Sequence, residues 1–143
     1  MMDNINSLVL AYLGDSIYEV LIREYLINKQ ICKVDELQKE AIKYVSAKAQ
    51  SKFLEELEQH HLLTDDEIAI VKRARNHKGN RHPKNTDIVT YKKSTGLEAL
   101  FGYHYLNGNF DRIKELIKTM IGESYVYIWE KCCTRDNWDK KEN

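Results

Sequence analysis

The stretch LVLAYLGDSIYEVLIREYLIN, residues 8–28, limits the fold more than any other part of the chain. It has no proline and a single glycine, and it is far longer than an ordinary strand, so it reads as a helix. Projected on a helical wheel, it carries apolar side chains on nearly every side. Leu10, Leu13, Ile17 and Leu21 form one stripe, read as the core face, while Leu8, Ala11, Tyr18, Ile22 and Leu26 cluster opposite, with Asp15 among them. Only a narrow strip with Glu19 and Arg23 is plainly polar. A helix of this kind has to be covered on both sides. In a chain of 143 residues, the second cover is expected to be another copy of the protein.

One proline and six glycines leave few interruptions elsewhere. A second helix is expected from Asp35, taken as its N-cap, and a third over 47–60 behind Ser46. Thr64 and Glu67 form a capping box opening a fourth helix that runs to about Asn76. Residues 77–90 read as a loop, 92–106 as a fifth helix stopped by Asn107-Gly108, and a sixth runs from Phe110 or Asp111 to about residue 131. No alternating apolar and polar run of strand type and no repeat is present. The expectation is an all-α domain of about six helices over residues 1–133, with a polar tail at 134–143.

No window approaches the roughly 20 apolar residues that span a bilayer. The uncharged stretch 4–14 is too short for an anchor and lacks the basic flank of a signal peptide. Cys32 stands alone and Cys132 is adjacent to Cys133, a pattern that suits free thiols in a reducing cytoplasm better than a zinc site or a disulfide framework. The five histidines show no metal-binding helical spacing.

Lys plus Arg and Asp plus Glu number 22 each, which excludes a uniformly basic nucleic-acid coat. The balance breaks locally. Between Glu67 and Asp87 no acidic residue occurs, whereas Lys72, Arg73, Arg75, Lys78, Arg81 and Lys84 do. Such a segment is either a solvated basic surface or a grip on phosphates.

Two carboxylates stand out against apolar surroundings. Asp15 requires a salt bridge, a backbone cap or a metal ion to compensate its burial. Glu98 lies between Gly96 and Gly102, each costing a helix about 1 kcal/mol against alanine, a loss tolerated where helices approach closely. Two carboxylates on two glycine-flanked, otherwise apolar helices are a donor set for a hard cation such as Mg²⁺.

LAYLGDSIYEVLIREYL, residues 10–26, resembles the first signature of the ribonuclease III family, and STGLEALFGYHYL, residues 94–106, resembles its second signature helix. Together with KYVSAKAQ (43–50) and PKNTD (83–87), the pattern is similar to the Mini-ribonuclease III branch, which has the catalytic domain and no double-stranded-RNA-binding domain. The resemblance implies an all-α homodimer that cuts double-stranded RNA with Mg²⁺, or Mn²⁺ as substitute, in maturation of large-subunit ribosomal RNA. A ribosomal protein is a possible helper. It makes Asp15 and Glu98 the catalytic, metal-holding residues. The acid-free basic segment is expected to supply the phosphate contacts, through Arg73, Arg75, Lys78, Arg81 and Lys84, with Lys48 and Gln50 of KYVSAKAQ as further RNA contacts. Larger family members have two more carboxylates, where this chain has Ala11 and Thr95.

Overall fold

Local capping chemistry starts most of the helices. In the computed structural model, which describes residues 5–78 and 83–122, Asn6 caps α1 (Ser7–Asn28) by accepting the Leu8 N–H at 2.8 Å. Ser46 caps α3 (Ala47–Gln59) through the Ala49 N–H. Thr64 and Glu67 close the expected capping box at the start of α4 (Asp65–Arg75). Two starts differ from expectation. α2 (Val34–Val45) has no side-chain cap, and Asp35 sits inside its first turn beside Glu36, where the helix dipole favours an acid. α5 (Ile88–Leu106) begins four residues earlier than the sequence suggested, because the Asp87 carboxylate accepts both the Thr90 N–H, at 2.9 Å, and its hydroxyl, at 2.7 Å. α6 (Phe110–Ile121) starts as expected, and its expected extension beyond residue 122, like Cys132, Cys133 and the tail, lies outside the described residues. No strand occurs among the described residues.

α5 is the axis of the domain, with α1, α3, α4 and α6 packed around it. The core joins Tyr18, Ile22 and Leu26 of α1 to Phe53, Leu54 and Leu57 of α3, Leu97, Leu100 and Phe101 of α5, and Leu116 and Ile117 of α6. Tyr18 meets Phe101 edge to face at 5.3 Å, and its hydroxyl donates to the Tyr44 carbonyl on α2 at 2.7 Å. α2 itself buries no residue completely and lies outermost.

The faces of α1 are assigned differently from the sequence projection. Leu10, Ala11, Gly14, Tyr18, Leu21, Ile22, Tyr25 and Leu26 are buried, so the core takes most of the second stripe together with Leu10 and Leu21 of the first. Leu13 and Ile17 are only half-buried, and Val9, Val20 and above all Tyr12, 84% exposed, face out. With both stripes apolar, the wheel could not decide which one meets α5. Backbone approach decides it, through the small residues Ala11 and Gly14.

One buried carboxylate is fully compensated. Glu67, 2% exposed, accepts from the Thr64 N–H, from Nε and Nη2 of Arg112 at 3.0 and 2.7 Å, and from His104 Nε2 at 2.6 Å. The Asn109 amide meets the other ring nitrogen of His104 at 3.1 Å, and Arg112 also donates to the Leu62 carbonyl. The cluster ties α4 to the C-terminal end of α5 and the first turn of α6.

Candidate active site

α1 and α5 cross in backbone contact. A β-carbon on Gly14 would stand 1.6 Å from the Glu98 carbonyl oxygen, and one on Gly102 would stand 2.0 Å from that of Leu10. Each glycine therefore seats the other helix's backbone, and neither position accepts a larger residue without moving a helix. This reciprocal seat brings Asp15, next to Gly14, and Glu98, one turn before Gly102, to one end of the crossing.

The two carboxylates feel each other. Glu98 is half-buried, and its carboxyl is pushed up to about 8, first by burial and second by the charge of Asp15, with a partial offset from the Gln50 amide. Asp15 is also raised, by partial desolvation and by Glu19. Contrary to the sequence reading, Asp15 is exposed: it lies at the solvent edge and Glu98 forms the inner member. No cationic side chain among the described residues pairs with either carboxylate. Of the three compensations open to Asp15, the salt bridge is therefore not used.

The site consists of these two carboxylates, since no group of three or more His, Cys, Asp or Glu side chains stands together among the described residues. Ala11 and Thr95 are both buried, the Thr95 hydroxyl donates to the Tyr91 carbonyl at 2.9 Å, and neither position supplies a further carboxylate. Two unpaired carboxylates at a water-accessible edge suit a hard divalent cation, which takes one or two carboxylates and fills its other positions with water and substrate phosphate oxygens.

The basic segment packs on a different side of α5 from the Glu98 side chain, because residues two apart on a helix do not face each other. The side chains of Arg75 and Val71 on α4 pack over Gly96, two residues before Glu98. Lys72, Arg73, Lys78 and Lys84 are exposed, whereas Arg75 is half-buried and holds Glu58 at 3.4 Å. Arg81 lies outside the described residues. Lys48 is exposed near the start of α3. Gln50 is a correction: 1% exposed, it points inward to Glu98, so the α3 surface offers no Gln50 contact to an RNA strand.

The ribonuclease III domain family matches residues 8–109, a span that includes both carboxylates and the glycine crossing. The chain belongs to the ribonuclease III family. It is 44% identical over 118 residues to the Mini-ribonuclease 3 of Clostridium tetani, covering 81% of this chain and 76% of that protein. The Mini-ribonuclease 3 of Streptococcus pneumoniae is 42% identical over 117 residues, covering 82% of this chain and 91% of that one. An X-ray structure of a Fusobacterium nucleatum protein superposes with a TM-score of 0.73 at 33% identity, over 82% of this chain and 93% of that one. The resemblance drawn from the four sequence motifs and the all-helical ribonuclease III fold thus both hold.

The cluster that sequence reasoning missed is Glu67, His104 and Arg112. Only the capping-box role of Glu67 was visible, because its partners lie 37 and 45 residues away. Gln50 was singled out as a residue but given the wrong surroundings.

Proposed function

We propose that this ribonuclease III family chain is a metal-dependent endoribonuclease that cuts double-stranded RNA, and that Asp15 and Glu98 hold the ion. The reading is carried by the unpaired carboxylates brought together where Gly14 and Gly102 seat the two helices. When bound, Mg²⁺, or Mn²⁺ in its place, supplies Lewis-acid activation of a water and of the scissile phosphate. Asp15 presents its carboxylate at the edge where a phosphodiester can arrive, and Glu98 sits half-buried beneath it, where surrounding atoms limit its movement. In-line attack on phosphorus with departure of the 3′-oxygen leaves a 5′-phosphate and a 3′-hydroxyl.

Duplex RNA shows phosphates and 2′-hydroxyls across a shallow minor groove, so binding rests on shape and charge. Arg73, Lys78 and Lys84, with Arg75, Arg81 and Lys48, supply the cations for it. The outward apolar residues of α1, Val9, Tyr12 and Val20, support a homodimer, in which two sites related by a two-fold axis meet the two antiparallel strands. The substrate proposed within this reading is a precursor stem of large-subunit ribosomal RNA, cut in the cytoplasm with a ribosomal protein as helper.

Cleavage of a long double-stranded RNA with and without Mg²⁺, by wild type and by Asp15→Asn, tests the reading. Cutting that needs the ion and disappears in the variant is the expected result. A well-folded wild type that binds the duplex and leaves it whole overturns the reading in favour of a binding protein on this fold, the alternative suggested by Ala11 and Thr95.

A further inference from the structure

Gln50 occupies the first full turn of α3, fixed there by the Ser46 cap and by its own N–H donated to the Ser46 carbonyl at 3.0 Å. Its side chain is enclosed between α3 and α5 and is 1% exposed. The amide nitrogen has no hydrogen-bond partner. A buried donor left unpaired carries a desolvation cost that an apolar residue of the same volume would avoid. The group this amide faces is the carboxyl of Glu98, whose charged form it favours. The donor is therefore aimed at the inner member of the carboxylate pair, near enough to favour its charge but without the geometry of a full hydrogen bond.

We infer that Gln50 is a positioning residue that fixes the Glu98 carboxylate from behind as that carboxylate takes up the cation. The inference rests on the metal-dependent reading given above. One face of Glu98 is left for the ion beside Asp15, and the amide holds the other. Partners of this kind behind a metal ligand typically change metal affinity by about 10- to 100-fold when removed. The surroundings also explain why a residue in a surface-looking motif is completely enclosed.

The test uses the full chain and Mn²⁺ as probe, with free Mn²⁺ read by electron paramagnetic resonance. Gln50→Met keeps the volume and removes the donor; Gln50→Asn keeps an amide but draws it back by one methylene. Both variants are expected to bind Mn²⁺ about 10- to 100-fold more weakly than wild type. The melting temperature of metal-free Gln50→Met should equal or exceed that of wild type, because the unpaired donor is gone. Cleavage of duplex RNA should fall at low Mn²⁺ and recover as Mn²⁺ is raised. Wild-type Mn²⁺ affinity in either folded variant overturns the inference, as does a lowered melting temperature with unchanged affinity, which is what a purely structural glutamine gives. Failure of the parent reading is distinguishable: wild type itself then neither binds Mn²⁺ nor cuts RNA, and the role of Gln50 falls with it.

Discussion

Two glutamates of this domain are set in opposite ways. Glu67 is the more deeply buried, yet four donors from Thr64, Arg112 and His104 surround it, and they outweigh the burial and hold its carboxyl well below the usual range. Glu98 is half-buried, has the charge of Asp15 for a neighbour and a single amide in partial support, and is pushed up to about 8. The same side chain serves as a clamp in one place and as an incomplete ligand in the other. Burial alone does not separate the two; what separates them is whether the fold itself supplies the positive partners.

The comparison can be broken most severely at the clamp. Glu67→Ala leaves Arg112 and His104 facing a void, and removal of one partner of a buried ion pair costs about 3–5 kcal/mol. In a domain of this size the melting temperature should drop by roughly 10–20 °C, as calorimetry would show. The cleavage rate per folded molecule should stay near that of wild type. At the other glutamate the outcome inverts. Glu98→Gln is expected to lose cleavage by well over the ~100-fold typical of a partner behind the ligand, while the metal-free protein becomes no less stable.

pH sharpens the contrast. A carboxyl raised from 4.5 to about 8 in the folded chain keeps a proton that the unfolded chain has released, so Glu98 makes metal-free stability fall as pH climbs through that window. The fall should amount to a few kcal/mol. Glu67 acts in the reverse sense and below it: its contribution is complete above the ordinary value of 4.5 and is lost as pH drops further. Denaturant melts of the metal-free chain should therefore show maximal stability near pH 5. Glu98→Gln should remove the decline toward pH 8 and leave the acid limb in place. A decline that persists unchanged in Glu98→Gln would show that the carboxylate pair is not its source.

The smallest effect belongs to the basic segment. Arg73→Ala and Lys84→Ala should each weaken duplex binding evenly across sequences and reduce the slope of log affinity against log salt by about 1. Arg75→Ala should do less to that slope, because its guanidinium already holds Glu58. Fluorescence titrations at several salt concentrations would separate the three.

The sequence made legible what is decided within a few residues. The Thr64–Glu67 box and the Ser46 cap are local hydrogen bonds, and both formed as read. The two signature motifs carried the family and the carboxylate pair, since Gly14-Asp15 and Glu98 with Gly102 each sit within a single turn or so. What was not legible depends on distant partners. Nothing near Glu67 announces His104 or Arg112, and nothing in KYVSAKAQ says that Gln50 turns inward while Lys48 remains outside. The faces of α1 were misassigned for a related reason: two apolar stripes compete, and the winner is set by the glycine seat on another helix. The early start of α5 was missed because Ile88 and Val89 are exposed and show no apolar periodicity, although Asp87 and Thr90 hold the cap.

The reciprocal glycine contact also works as a ruler. Because the backbones of α1 and α5 touch at Gly14 and Gly102, the spacing of the two main-chain positions that carry the carboxylates is set from backbone to backbone, with no packed side chain in between. A methyl group at either position would act as a wedge and open the gap between Asp15 and Glu98 while leaving both residues in the sequence. The Leu-Gly-Asp triplet is thus one working part: the aspartate is useful at the distance that the missing side chain beside it allows.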